Sequence, residues 1–91
     1  MRGFKADAPG GIAVIERSFD TLTIAAIRDA LKQTLPKAKV SVKSFETSGD
    51  ISYRFNINVN AYTNPAEKNA ALWGIGTVFT AFEELWAEGK I

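Results

Sequence analysis

Residues 51–63 read Ile-Ser-Tyr-Arg-Phe-Asn-Ile-Asn-Val-Asn-Ala-Tyr-Thr, and apolar and polar side chains alternate along the whole stretch. Successive side chains of a strand point to opposite faces, so this period of two predicts a strand with one face on a core and the other in water. The pattern is the most regular in the chain. It predicts a sheet that is covered on one face only.

A partner strand is predicted directly before it, over Lys39 to Glu46. A two-residue loop at Ser48-Gly49 would set Val42 opposite Phe55 on the buried face, which makes the hairpin register consistent with one apolar side. The same register predicts four further pairs of opposite residues: Val40 and Ile57, Ser41 and Asn56, Lys39 and Asn58, and Lys43 and Arg54.

One helix is predicted before the hairpin and one after it. The first begins after the candidate N-caps of Asp20-Thr21-Leu22-Thr23 and ends before Pro36. The second begins at Asn64-Pro65-Ala66-Glu67, where Asn is the N-cap and Pro occupies the first helical position, and Gly89 is a plausible C-terminal stop. Their apolar stripes are Ile24, Ile27, Leu31 and Leu35 in the first helix, and Leu72, Ile75, Phe79, Phe82 and Trp86 in the second.

Gly74 and Gly76 lie inside the second helix, where each costs about 1 kcal/mol relative to Ala. Such glycines are explained if another stretch of backbone packs closely against the helix, or if the helix is locally broken. Residues 1–11 end in Pro9-Gly10-Gly11 and are predicted to form a flexible N-terminal arm.

A first strand is predicted over Gly11 to Phe19, which gives the order β-α-β-β-α. A right-handed crossover leaves the first two strands parallel, and the third strand, antiparallel to the second, can lie between them. We therefore expect an α+β fold, a two-layer sandwich with a small, mostly antiparallel sheet and both helices on one face. Residues 12–91 would form the single domain.

Composition narrows the possible chemistry. The 91 residues include no His and no Cys, so the commonest general base, the thiolate nucleophile and the soft metal ligands are missing. No pair of carboxylates is spaced for one cleft, and Gly74-x-Gly76 is not a phosphate-binding loop. We expect no enzymatic activity, no cofactor and no metal. No apolar run is long enough for a bilayer and no signal core is present, so we expect a cytoplasmic protein without a membrane partner.

The open face of the hairpin is the first candidate binding surface. Residues 28–54 carry six basic against three acidic side chains, whereas residues 55–91 carry two basic against four acidic ones, although the net charge is only +1. Asn is uncommon in strands, so three in alternation suggest a hydrogen-bonding partner, with a soluble but inert face as the alternative. The predicted contact residues on this face are Lys39, Lys43, Arg54, Asn56, Asn58 and Asn60.

The last helix is the second candidate, because it is apolar around most of its circumference between Ala70 and Phe82. Either its outer side, around Trp73, Val78 and Leu85, binds a partner or a second copy, or the first helix and the N-terminal arm cover it. Trp73 and Trp86 are the expected anchors of an interface, with an acidic rim at Glu83, Glu84 and Glu88.

The order of elements resembles that of the DinI-like modulators of the RecA recombinase, whose final helix is acidic, as is Phe82-Glu83-Glu84-Leu85-Trp86-Ala87-Glu88 here. The first helix, long hairpin and second helix also resemble parts of phage tail-joining proteins. Both resemblances imply a phage or mobile-element context, and neither carries over the role of a residue.

These observations predict a small non-enzymatic protein that binds a protein or ribonucleoprotein partner stoichiometrically, as an inhibitor or modulator. One alternative is a nucleic-acid-binding module in which Lys39, Lys43 and Arg54 hold phosphates. The other is a homo-oligomeric phage structural or assembly subunit, and a homodimer is compatible with the apolar outer side of the last helix.

Overall fold

A computed structural model describes residues 3–91 of the chain and shows an α+β fold. A short 3-10 turn at Pro9–Gly11 leads into five elements. These are β1 (Ile12–Arg17), α1 (Thr21–Thr34), β2 (Lys39–Thr47), β3 (Asp50–Asn58) and α2 (Pro65–Ala87). Met1 and Arg2, the first residues of the predicted arm, lie outside the described residues.

The β2–β3 hairpin has the predicted register. Val42 lies opposite Phe55 and Lys43 opposite Arg54, and the pairing runs without a break to Thr47 and Asp50. Ser48 and Gly49 both have positive φ, at 52° and 86°, as a two-residue type I′ turn requires. Because a two-residue turn sets which residues of the two strands lie opposite each other, the register could be predicted from the sequence.

The sheet order is β1-β3-β2, with β3 antiparallel to both neighbours. β1 and β2 are therefore parallel and separated by β3, as predicted. Ala13 of β1 pairs with Ile57 and Ile15 pairs with Phe55, so the buried residues of the two strands lie on one face. Both helices cover this face, and the other face is open.

The predicted strand over residues 51–63 is wrong in its last part. β3 ends at Asn58, and the chain turns at Val59, whose carbonyl oxygen accepts the Tyr62 N–H at 3.0 Å. Ala61, expected on the buried face, is exposed, and Tyr62 is buried instead with its hydroxyl accepting the Lys37 N–H at 3.2 Å. The turn therefore shifts the alternation of buried and exposed side chains by one residue.

α1 begins where its cap predicts. The Asp20 carboxylate accepts the Thr23 N–H at 2.7 Å, and the Leu35 N–H donates to the Leu31 carbonyl at the other end. The predicted stripe of Ile24, Ile27, Leu31 and Leu35 is buried throughout.

α2 is capped by Asn64, whose side-chain oxygen accepts the Ala66 N–H at 2.8 Å. Phe79 packs edge-to-face on Phe55, with ring centres 5.0 Å apart. The predicted position of Val78 on the outer side is wrong, because Val78 is buried. α1 packs along this flank of α2, so the buried stripe is centred on Ala71, Ile75, Val78 and Phe79, whereas Leu72 and Phe82 are only partly buried.

The N-terminal segment lies across α2 at Gly76. The Ala6 N–H donates to the Leu72 carbonyl at 3.0 Å, Ala6 is buried, and a Cβ at position 76 would overlap the Phe4 carbonyl. Close backbone packing, the first of the two explanations for these glycines, therefore applies to Gly76. Gly74 faces α1, where a Cβ would meet Thr34 and Leu35 side chains at 3.5 Å. The apolar surface of the last helix was expected either to bind a partner or to be covered by the first helix and the N-terminal arm. In the structure, α1 and the N-terminal segment cover most of it.

Candidate functional site

The open face of the sheet brings most of the predicted contact residues together. Each strand contributes alternate side chains, so the face is a grid of three columns. β2 contributes Lys39, Ser41, Lys43 and Phe45, β3 contributes Ser52, Arg54, Asn56 and Asn58, and β1 contributes Ile12, Val14 and Glu16.

Arg54 is the centre of this grid and is engaged on both sides. Its Nε and a terminal guanidinium nitrogen donate to the Glu16 carboxylate at 2.9 and 2.8 Å. The guanidinium also lies over the Phe45 ring, 4.9 Å from its centre. Glu16 is thus the anion that relieves the Lys43–Arg54 juxtaposition. The hairpin alone does not show this residue, because Glu16 comes from β1.

Lys39 and Lys43 differ from Arg54. Both are exposed, and within residues 3–91 neither forms an ion pair or a side-chain hydrogen bond. They stand in one column of β2, with Ser41 between them. These two ammonium groups are the part of the face that is available to an anionic ligand.

The three asparagines have different environments. The Asn58 side-chain oxygen accepts the Asn60 N–H at 2.9 Å, and the Asn60 amide donates to the Gly10 carbonyl at 3.2 Å. Both residues therefore stabilise the chain reversal after β3 and the turn before β1. Asn56 remains in the middle of the face, between Val14 and Ser41.

An apolar strip along β1 borders the polar grid. Val14 is 53% exposed and Ile12 is 39% exposed, and both side chains share the open face with Asn56 and Asn58. Sequence reasoning missed this strip, although the burial of Ala13 and Ile15 implies it once β1 is read with a period of two. The face therefore combines apolar, amide and cationic groups.

Trp73 and Trp86 lie in the helical layer and not on the sheet face. Trp73 is 47% exposed, and Trp86 is 44% exposed with its ring centre 5.1 Å from that of Phe19. The predicted binding residues thus belong to two separate surfaces. The predicted acidic rim is partly neutralised, because Glu83 accepts two hydrogen bonds from Arg17, at 2.6 and 2.8 Å, and Glu88 pairs with Lys90 at 2.9 Å.

A cleft of about 590 Å³ lies between the start of α1 and the last turns of α2. Its walls are mostly apolar and include Leu22, which is 85% exposed, with Ala26, Phe82 and Ile91. Asp20 is the one ionisable side chain in its lining. Nothing in this lining assembles an acid, a base and a nucleophile.

No group of three or more His, Cys, Asp and Glu side chains in residues 3–91 is arranged to hold a metal ion. Neither of the helices in that range combines the length and hydropathy of a bilayer-spanning segment.

Comparisons of the chain with protein-family models, with curated proteins and with solved structures find no match. The chemistry of the surfaces is therefore the basis for a functional proposal.

Proposed function

We propose that this chain is a small, non-enzymatic binding domain that engages a protein partner stoichiometrically through the open face of its sheet. The face offers apolar area at Ile12 and Val14, an amide at Asn56 and cations at Lys39 and Lys43. Protein interfaces combine these same classes of group around a dry centre. A contact of this kind suits an inhibitor or modulator, which acts by occupying its partner.

The ion pair between Glu16 and Arg54 is the observation that favours a protein over a nucleic acid. A carboxylate beside Arg54 on this face repels phosphate, and it holds the guanidinium that would otherwise bind one. Phe45, the one aromatic ring among the grid residues, has one face covered by Arg54, which leaves at most the other face for stacking on a base. An apolar strip at Val14 has no counterpart in phosphate recognition.

Nucleic-acid binding is the second candidate. The observation that favours it is that Lys39 and Lys43 form no ion pair within residues 3–91. In a plot of log K against log salt concentration, two phosphate contacts would give a slope of about −1.8 for a DNA duplex and about −1.4 for a single strand. Fluorescence anisotropy with single- and double-stranded oligonucleotides over a range of salt concentrations measures that slope. Micromolar binding that shows it, and that Lys39→Ala and Lys43→Ala together remove, would replace a protein partner as the proposal.

Site-specific photo-crosslinking tests the protein-binding proposal directly. A benzoylphenylalanine replaces Ser41 on the open face in one variant, and Gln33 on the exposed side of α1 in a matched control. Both variants are irradiated in lysate of the native host, with and without nuclease.

The expected result is one discrete protein adduct from position 41 that survives nuclease and is absent from position 33. The adduct should decrease when Val14→Asp is added. Equal crosslinking from both positions, or loss of every adduct after nuclease, would contradict the proposal. An adduct of twice the mass of the chain would favour the homo-oligomeric alternative.

A further inference from the structure

The outer edge of β2 presents unpaired backbone groups. Val59 donates to Gly11 at 2.9 Å, so odd-numbered residues of β3 bond to β1 and even-numbered residues bond to β2. The two-residue turn implies the same assignment of hydrogen bonds, because Thr47 and Asp50 form the first hydrogen-bonded pair of the hairpin. On β2, the N–H and C=O groups of Val40, Val42, Ser44 and Glu46 therefore point away from β3.

This edge is long and regular. β2 has nine residues, all paired with β3 without a bulge, and contains no proline. No backbone hydrogen bond from elsewhere in residues 3–91 reaches its outward groups. An edge strand of this kind is a template for another strand, and protein edges are commonly protected by charge alone when other devices are missing.

A cleft of about 270 Å³ adjoins the same edge on the helix side. α1 contributes Ile24, Ala25 and Arg28 to its walls, and the hairpin contributes Val42 and Tyr53. A strand added beside β2 would direct alternate side chains towards this cleft, since residues that pair across strands share a face. Ile24, Ala25 and Val42 form an apolar part of the lining that suits a branched aliphatic side chain, beside the polar groups of Thr21, Ser44 and Tyr53.

The charges around the edge select the kind of strand. Lys39 and Lys43 flank it on the open face, and Arg28 flanks it on the helix side. A second copy of this chain would bring like charges together at its own β2, whereas an acidic strand would meet opposite charges. Within residues 3–91, Arg28 forms an ion pair only with the adjacent Asp29, at 3.3 Å, so it too has room for another anion.

We propose that the β2 edge accepts an extended acidic segment of the partner protein as a fourth, antiparallel strand of the sheet. Alternate residues of the segment lie over Lys39 and Lys43 and carry carboxylates, and the residues between them are apolar and point towards the cleft. This mode of recognition takes its affinity from main-chain hydrogen bonds and its specificity from alternate side chains. The inference rests on the proposed function and names the chemistry of the partner.

Amide hydrogen exchange by NMR tests the premise and the binding together. In the free protein, the amides of Val40, Val42, Ser44 and Glu46 should exchange faster than those of Ser41, Lys43 and Phe45. The probe is the acetylated and amidated peptide Glu-Val-Glu-Val-Glu-Val-Glu. Its binding should protect the first set and shift the resonances of Ile24 and Tyr53.

Matched peptides separate strand addition from simple charge attraction. Methylation of the valine nitrogens, which would face β2, should weaken binding by at least about tenfold, because several main-chain hydrogen bonds are lost. Methylation of the glutamate nitrogens, which would face solvent, should change affinity by less than about threefold. A peptide with Lys in place of Glu should not bind, and Lys39→Glu with Lys43→Glu should reverse that preference.

Matched protein variants test the same point from the other side. Ser44→Pro removes one outward N–H without breaking the β2–β3 ladder, and Ser44→Ala keeps the N–H. The proline variant should lose binding by at least about fivefold at an unchanged urea midpoint, and the alanine variant should bind normally.

Equal binding of the two methylated peptides, or no binding of the acidic peptide at millimolar concentration, would overturn the edge proposal. If crosslinking from position 41 to a protein persists in that case, the sheet face still binds a partner and only the strand addition fails. Loss of that crosslink would count against the proposed function itself. A mass that rises with concentration in the absence of peptide would identify a second copy as the occupant.

Discussion

Gly76→Ala tests whether the N-terminal segment is part of the folded domain. Alanine is favoured over glycine in a helix by about 1 kcal/mol, so the substitution would stabilise α2 in isolation. In the folded chain its Cβ overlaps the Phe4 carbonyl, which is backbone and has no flexible end to move aside. The segment over residues 3–8 must therefore separate from the helix.

The cost of that separation can be worked out from its contacts. The hydrogen bond from Ala6 to the Leu72 carbonyl contributes about 1 kcal/mol, and the buried Ala6 methyl about 0.8 kcal/mol more. Offset by the helix propensity, Gly76→Ala should lower the free energy of unfolding by about 1 kcal/mol. Gly74→Ala is the matched control, because its Cβ meets α1 at an ordinary 3.5 Å and should raise that free energy by up to about 1 kcal/mol.

Urea unfolding followed by tryptophan fluorescence measures the difference between the two variants. With an m-value of about 1 kcal/mol per molar urea, their midpoints should lie about 2 M apart. Trypsin cleavage after Lys5, followed by mass spectrometry, reports the segment itself and should accelerate in Gly76→Ala but not in Gly74→Ala. Equal stabilisation by both substitutions, with unchanged cleavage after Lys5, would refute the reasoning.

Three further substitutions probe the core, a cap and the hairpin turn. Phe79→Ala removes a fully buried ring that packs edge-to-face on Phe55. Calorimetry should show that the free energy of unfolding falls by about 3–5 kcal/mol. A loss below about 1 kcal/mol would contradict this packing. Asn64→Ala removes the acceptor for the Ala66 N–H and should lower the urea-derived stability by about 1 kcal/mol, with Asn64→Asp as the variant that retains it. Ser48→Asn should raise the free energy of unfolding by up to about 1 kcal/mol, because asparagine tolerates a φ of 52° better than serine. The thermal midpoint should therefore rise, and a lower midpoint would argue against the type I′ turn.

The chain itself predicted the hairpin because two independent patterns agree. The period-two alternation gives each strand an inner face, and the turn residues permit one register in which both inner faces coincide. The caps at Asp20 and Asn64 are equally local, since each needs only an acceptor two or three residues before an orphan N–H. Such features involve neighbours in sequence and were confirmed.

The errors arise where distant segments meet. Val78 was placed outside because a helical stripe read alone has no information about α1, which covers that flank. The strand was extended to Thr63 because alternation continues through residues that in fact form a turn on Val59. The partner of Arg54 was missed because it belongs to β1, which the hairpin pattern does not include.

The sequence alone determined an α+β chain with one apolar sheet face, its hairpin register, its helix caps and a surplus of positive charge in the middle of the chain. Tertiary structure decided what those charges do. By placing β1 beside β3, it joined Glu16 to Arg54 and made Ile12 and Val14 part of the open face, while Lys39 and Lys43 have no ion-pair partner within residues 3–91. The physical reason is that alternation specifies which way a side chain points, whereas its neighbours depend on which strand lies alongside.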